Sequence, residues 1–387
     1  MQKGHIYSVL QVTPELNAGG VERTTIEMAE AISRAGGLAL IASAGGRLEP
    51  DLEAAGGELL RLPVNSKNPW IIRQNADRLA EAAKARGINL IHARSRAPAW
   101  SALIAARRLG LPFVTTYHGV YNARSPLKRY YNSVMARGDI VIANSHYTRR
   151  HVLDQYQLDP ARVVAIPRGV DLEQFDPAAI AQHDIAAMRD LWGLSPGDAR
   201  LVLMLPARLT RWKGQIVLID ALAELQSRRP GAVKAILAGD AQGRTAYVDE
   251  LNTRIAASRL REAVAIVGHL SQMPTALAAS DAALFPSVEP EAFGRGAVEA
   301  QAMGLPVIAA NHGGLAETVV DGETGILVTP GDSGALAAAI ERLLDMGVEA
   351  RAAMGLRGKS RARRDYAKTA LQSSTLQVYD RLLGVKA

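Results

Sequence analysis

Cysteine is absent from the 387 residues, which excludes disulfides, thiolate nucleophiles and zinc–thiolate sites and leaves the redox compartment open. Long apolar runs are missing too. None approaches the roughly 18 residues of a membrane-spanning helix, and the stretch Met1–Val12 lacks the apolar core of a secretory signal. The chain is expected to be cytoplasmic, soluble or peripheral at the inner face of a membrane. Aromatic residues are scarce, at 5%, and no nucleic-acid-binding motif accompanies the basic residues, so nucleic acid is not an expected partner. G-x-G-x-x-G is absent, which weakens a dinucleotide reading, and so is H-E-x-x-H. Acidic residues are missing from one stretch in particular. Arg86–Arg150 holds 11 basic residues and a single acid, Asp139. Residues 1–170 carry 22 Lys+Arg against 13 Asp+Glu, whereas the remainder carries 23 against 25, so the net +7 belongs to the first half. An anionic partner for that half, such as an anionic membrane surface, stands beside the plainer reading of a solvated basic face.

What is present is a rhythm. Apolar runs at His5–Thr13, Leu38–Ser43, Glu58–Pro63, Asn89–Ala93, Pro112–Tyr117, Asp139–Ala143 and Val163–Pro167 alternate with helical patterns, the signature of parallel α/β structure. Gly36, Gly87 and Gly110 stand where helices would be capped. The pattern loosens through Phe175–Asp190 and breaks at Gly193–Asp198, where a linker is expected. It resumes with Leu201–Pro206, Ala232–Ala238, Ala263–Val267, Ala282–Phe285, Pro306–Ala310 and Gly325–Val328. A chain of this length suits two domains. The spacing predicts an α/β fold of two doubly wound parallel-sheet domains, residues 1–172 and 173–364, followed by an amphipathic helix over 365–387.

Four groups of residues carry chemistry. Pro290–Gly304 holds Glu291 and Glu299, eight apart and about 80° out of phase on one helix. Glu291 is therefore expected in the loop after a strand, with a helix starting near Phe293–Gly294 and Glu299 about two turns in. The bare amides at Phe293–Arg295 would favour an anion. Taken alone, the stretch fits a solvated pair of glutamates equally well. Arg208 and Lys213 leave the carboxyl end of the strand Leu201–Pro206, where open α/β sheets bind ligands, and could clamp a diphosphate or simply be surface cations. Gly19-Gly20 opens a helix after the first strand, and His118 ends the strand Pro112–Tyr117; each is, by itself, more often structural than functional.

Together these elements resemble retaining glycosyltransferase family 4. The E-x7-E spacing of Glu291 and Glu299, the following A-M-G-L-P-V-I-A and the G-G-L-A-E-T-V-V-D-G-E-T-G-I-L-V run carry the resemblance from Ser287 to Pro330. The R-x4-K-G of Arg208 and Lys213, the glycine loop, His118-Gly119 and Asn144-Ser145 extend it over nearly the whole chain. The resemblance implies the GT-B architecture, two Rossmann-like domains facing across a cleft, with the terminal helix crossing back to the first domain, which would bind the acceptor. It implies transfer of a hexose-type sugar from a UDP- or GDP-sugar to an acceptor glycan or glycolipid with the α-linkage retained, the leaving phosphate helping to deprotonate the acceptor. On that likeness Arg208 and Lys213 hold the diphosphate, Glu291 the sugar hydroxyls, Phe293 and Gly294 the sugar or phosphate through their amides, and Glu299 the ribose. Gly19 and Gly20 lie over the donor, His118 contacts its hexose, and Leu270 marks where the base packs. Asp-x-Asp, the metal–diphosphate site of the other main glycosyltransferase fold, is absent, so no metal or other cofactor is expected. The chain departs from the family at Arg168, where asparagine commonly precedes G-V-D; a phosphate contact is one role for it. The basic first half is similar to members acting on lipid-linked or lipopolysaccharide-type acceptors, with Arg94, Arg96, Arg124, Lys128, Arg129, Arg149 and Arg150 as the surface cations.

Overall fold

The computed structural model describes residues 6–17, 19–121 and 125–385. Two compact units divide the chain: Met1–Arg168 with Lys368–Ala387, and Gly169–Ala367. The division falls a few residues from the expected bounds.

The first unit is built on seven strands: β1 Ser8–Val12, β2 Leu38–Ser43, β3 Gly57–Arg61, β4 Leu90–Ala93, β5 Phe113–Tyr117, β6 Ile140–Ala143 and β7 Val163–Ala165. They lie in the order β3-β2-β1-β4-β5-β6-β7, every pair parallel. Parallel strands joined by crossover helices are covered on both faces, which is why β1, β4, β5 and β6 are buried along their whole length. Gly36, Gly87 and Gly110 each adopt positive φ just past a helix end. The helix Lys368–Leu383 packs in this unit, with Leu371, Val378 and Tyr379 buried beside Val9, Ile26 and Ile32 of its core. Gln372 Nε2 donates to the Glu27 carbonyl at 2.7 Å, and Lys368 pairs with Glu30 at 3.3 Å.

The second unit has six strands: β8 Leu201–Pro206, β9 Val233–Ala238, β10 Val264–Gly268, β11 Ala282–Phe285, β12 Val307–Ala310 and β13 Gly325–Val328, in the order β10-β9-β8-β11-β12-β13 and again parallel throughout. The stretch expected to be a linker is instead part of this unit. Its helix Gln182–Leu191 is largely polar and turns a narrow apolar edge inward, and Phe175, Met188, Trp192 and Leu194 are all buried against Val202 and Met204 of β8. Burying four such side chains contributes roughly 1.5–3 kcal/mol each, which offsets part of the entropy cost of ordering the segment.

Both sheets reverse direction in the same way. In the first the chain runs outward from β1 to β3, then returns to start again at β4; in the second it does so between β8 and β11. At such a switch point the loops leaving two adjacent strands diverge to opposite faces and open a crevice at the carboxyl ends.

Candidate functional site

At the second switch point the loops after β8 and β11 are locked together. Gly214 sits at φ 79°, and a Cβ there would fall 2.0 Å from the Pro286 carbonyl oxygen, so only glycine lets the two loops approach. The Val288 N–H donates to the Trp212 carbonyl at 2.8 Å. This contact brings Lys213, five residues past Arg208, onto Glu291: Nζ to Oε1 is 2.7 Å, with the side chains 14% and 11% exposed. Ser287 Oγ donates to the same carboxylate oxygen at 2.6 Å, and the ammonium lies 4.2 Å from the Trp212 ring centroid. Burial lowers the Lys213 pKa from its ordinary value; the Glu291 carboxylate opposes that and the Arg208 guanidinium adds to it. Arg208 itself is exposed and forms no ion pair among the described residues.

Glu291 is held in its loop by the turn after β12. The Gly314 N–H donates to its carbonyl at 2.7 Å, and the His312 imidazole bonds through Nε2 to the Ser287 carbonyl at 2.8 Å. His312 supports the loop, and the sequence carried no signal for it beyond the glycine pair that follows. Gly294 then caps the helix Arg295–Ala302 from φ 87°, where a side chain would meet Leu315 Cδ2 at 2.6 Å. Because the cap is Gly294, Glu299 is the fifth helical residue and lies one turn in, instead of the two expected. Its Oε1 accepts from Arg295 Nε at 2.8 Å. The Phe293 ring is buried and meets Tyr366 edge-on at 5.6 Å, so Phe293 has only its backbone to offer a ligand. Leu270 is half-buried after β10, at the carboxyl edge of the same sheet but two strands from β8.

In the first unit Gly19 (φ 130°) and Gly20 follow β1, and His118 follows β5. Arg168, just beyond β7, joins them. Its Nη2 donates to His118 Nδ1 at 2.9 Å, and its Nη1 lies where a Gly20 side chain would begin, 1.8 Å from an ideal Cβ. Burial and the guanidinium groups of Arg168 and Arg94 hold the His118 pKa well below the ordinary histidine value. The ring is thus neutral, with Nδ1 accepting and Nε2 carrying the proton. That Nε2–H is shielded from water and meets no acceptor among the described residues, an arrangement that costs about 1–3 kcal/mol unless a ligand completes it.

The surface cations sort unevenly. Arg94, expected at the surface, is 2% exposed and binds Gln11 Oε1 through Nε and Nη2 at 3.0 and 2.6 Å. It stands in a buried polar cluster in which His92 contacts Tyr379 and Thr116, each at 2.7 Å, and nothing in a lone arginine of a basic stretch distinguishes that setting. Arg149 is half-buried and donates to the Val163 and Pro160 carbonyls. Arg124 falls outside the described residues. Lys128, Arg129 and Arg150 are exposed, as expected. A cavity of about 450 Å³ is lined by Lys67, Arg96, Leu127, Lys128, Tyr131 and Asn132, three cations with no acid among them.

Residues 18–174 match the family described as Glycosyltransferase Family 4, and residues 193–361 match Glycosyl transferases group 1. A glycosyltransferase from Rickettsia africae ESF-5 is 34% identical in sequence, with a TM-score of 0.90 over 98% of this chain and 99% of that one. The chain belongs to glycosyltransferase family 4. Its fold is accordingly GT-B, each matched region falling on one of the two doubly wound units. Another likeness is to Anabaena HepE in complex with UDP-glucose, 26% identical, with a TM-score of 0.83 over 97% of this chain and 99% of that one. The D-inositol 3-phosphate glycosyltransferase of Segniliparus rotundus is 33% identical over 263 residues. That match covers 62% of this chain and spans 56% of the length of the relative.

Proposed function

We propose that the protein transfers a hexose-type sugar from a nucleoside-diphosphate sugar to an acceptor hydroxyl, with the anomeric configuration retained. The observation that carries this reading is the Lys213–Glu291 pair, set by two glycine-dependent loops at the switch point of the second sheet. Lys213 has three N–H donors and gives one of them to Glu291, so two remain for phosphate oxygens. Arg208, exposed beside it, supplies a planar donor fork. Glu291 would orient the sugar hydroxyls, the first-turn amides after Gly294 would meet the phosphate or sugar, and Glu299, one turn further along, would take the ribose. Leu270 would border the base.

Retention without a glycosyl-enzyme is supported by the state of the carboxylates. Glu291 is bound to an ammonium and a hydroxyl, and Glu299 to a guanidinium, which makes both poor nucleophiles for a double displacement. The leaving diphosphate, stabilised by Arg208 and Lys213, would then serve as the base that helps deprotonate the acceptor. These cations would replace a metal as the electrostatic clamp.

The acceptor would bind in the first unit. Three cations around one cavity suit an anionic group on it, and the acceptor named for the relative from Segniliparus rotundus carries a phosphate. A lipid-linked or lipopolysaccharide-type glycan has that chemistry and would bring the protein to the inner face of a membrane.

The test is calorimetry of the full chain against UDP-, GDP-, ADP- and CMP-sugars in excess EDTA. One base class should bind in the micromolar range with chelator present. Binding by none of the four, or binding only after Mg²⁺ or Mn²⁺ is restored, would overturn the reading.

A further inference from the structure

Arg168 lies just beyond β7, and the structure gives it two contacts that belong together. Its guanidinium lies against Gly20, with Nη1 1.8 Å, Cζ 2.8 Å and Nη2 3.4 Å from the place a Cβ would occupy. The same Nη2 reaches His118 Nδ1 at 2.9 Å. Gly20 has no positive φ, so its backbone does not demand glycine. A side chain there would instead have to displace the end of the Arg168 side chain. The side chain that position 20 lacks is replaced by the one that position 168 carries.

The consequence falls on His118. A guanidinium nitrogen can only donate, so Nδ1 must accept and the ring proton must sit on Nε2. The Asn144 Nδ2–H donates to the His118 carbonyl at 3.3 Å and fixes the backbone from the other side. The charged and titratable groups around the histidine include Arg168 beyond β7, Arg94 beyond β4, His92 within β4, Tyr121, which meets the His118 backbone, and, against Arg168, Glu22 of the helix Gly20–Arg34. The two arginines oppose protonation of the ring, and no carboxylate among the described residues contacts it.

We propose that Arg168 is a positioning residue for His118: seated in the space left by Gly20, it locks the imidazole as the neutral Nε2–H tautomer, so that His118 acts toward substrate as a hydrogen-bond donor and never as a base. The unpartnered, solvent-shielded Nε2–H is the group so presented. That its acceptor is a hydroxyl of the donor sugar rests on the function proposed above; the locking of the ring does not.

The experiment is long-range ¹H–¹⁵N correlation NMR on the full chain labelled with ¹⁵N-histidine, between pH 5 and 8, with His118 assigned by its absence in His118→Gln. The wild type should show a single tautomer, protonated at Nε2, with no change across the range. In Arg168→Met the ring should become a mixture of the two neutral tautomers. Gly20→Ala should produce the same change by displacing the guanidinium with a methyl group, and adding Gly20→Ala to Arg168→Met should change nothing further. Should Arg168→Met fail to fold, Gly20→Ala alone carries the test. An unchanged Nε2–H tautomer in either variant, or additive effects in the double variant, would overturn the proposal. Addition of UDP-glucose separates the two readings: a locked ring whose Nε2 signal ignores the sugar nucleotide keeps the role of Arg168 and removes the donor contact.

Discussion

Lys213 meets two opposing demands. Burial disfavours its charge, and the Glu291 carboxylate at 2.7 Å restores it. Removing one partner of so shielded a pair strands the other, so Lys213→Met should destabilise the protein by about 3 kcal/mol, and Lys213→Met with Glu291→Gln should recover most of that. Urea unfolding measures both; a neutral single variant would mean the pair is well solvated. The pH dependence has a definite sign. The folded pKa is lowered, so between it and the ordinary value of 10.5 the unfolded chain binds more protons, and stability rises with pH. Relative to Lys213→Met, the wild type should therefore gain stability through that alkaline window. Arg208, Lys213, Glu291 and Gly294 were legible in the sequence because strand ends and glycine spacing mark them. The contact of Arg168 with His118 was not, nor was His312, because such contacts depend on which loops the fold brings together. Arg94 was misplaced because composition cannot tell a buried arginine from an exposed one.

The helix Pro126–Asn132 is short, and four of its seven residues place charge or apolar surface in water: Leu127 is 83% and Tyr130 60% exposed, and Lys128 and Arg129 are exposed beside them. An apolar edge flanked by cations is the composition of an interface-lying helix. With about 1 kcal/mol per basic side chain near an anionic surface, Lys128, Arg129 and Lys67 together would give roughly 3 kcal/mol, enough for reversible attachment. Flotation should recover the protein with anionic but not neutral vesicles, and recovery should fall from 0.1 to 1 M salt, as the screening length drops from about 10 to about 3 Å. Equal recovery on both lipids would contradict it. At this scale the strands were the most legible feature, since strands covered on both faces run continuously apolar. The helix Gln182–Leu191 was missed because its polar face dominates and its few apolar anchors, Met188 with Trp192 and Leu194 beyond it, lie near the turn residues that suggested a linker.

Across the whole molecule, the two units divide the chemistry by charge. The first holds more than the whole of the positive excess, the cationic cavity and the locked His118; the second, slightly acidic in sum, concentrates Arg208, Lys213, Glu291 and Glu299 at one switch point. If that point is the donor clamp, its cations act chiefly on the departing diphosphate, where charge develops during transfer. The decisive measurement pairs calorimetry with nucleoside-diphosphate release, using the sugar nucleotide that binds, for the wild type and for Lys213→Ala checked to be folded at the assay temperature. Loss of a transition-state contact of this kind costs about 2.7–4 kcal/mol, or 10²–10³ in turnover, and donor affinity should change less than tenfold. Wild-type release by Lys213→Ala would contradict the account.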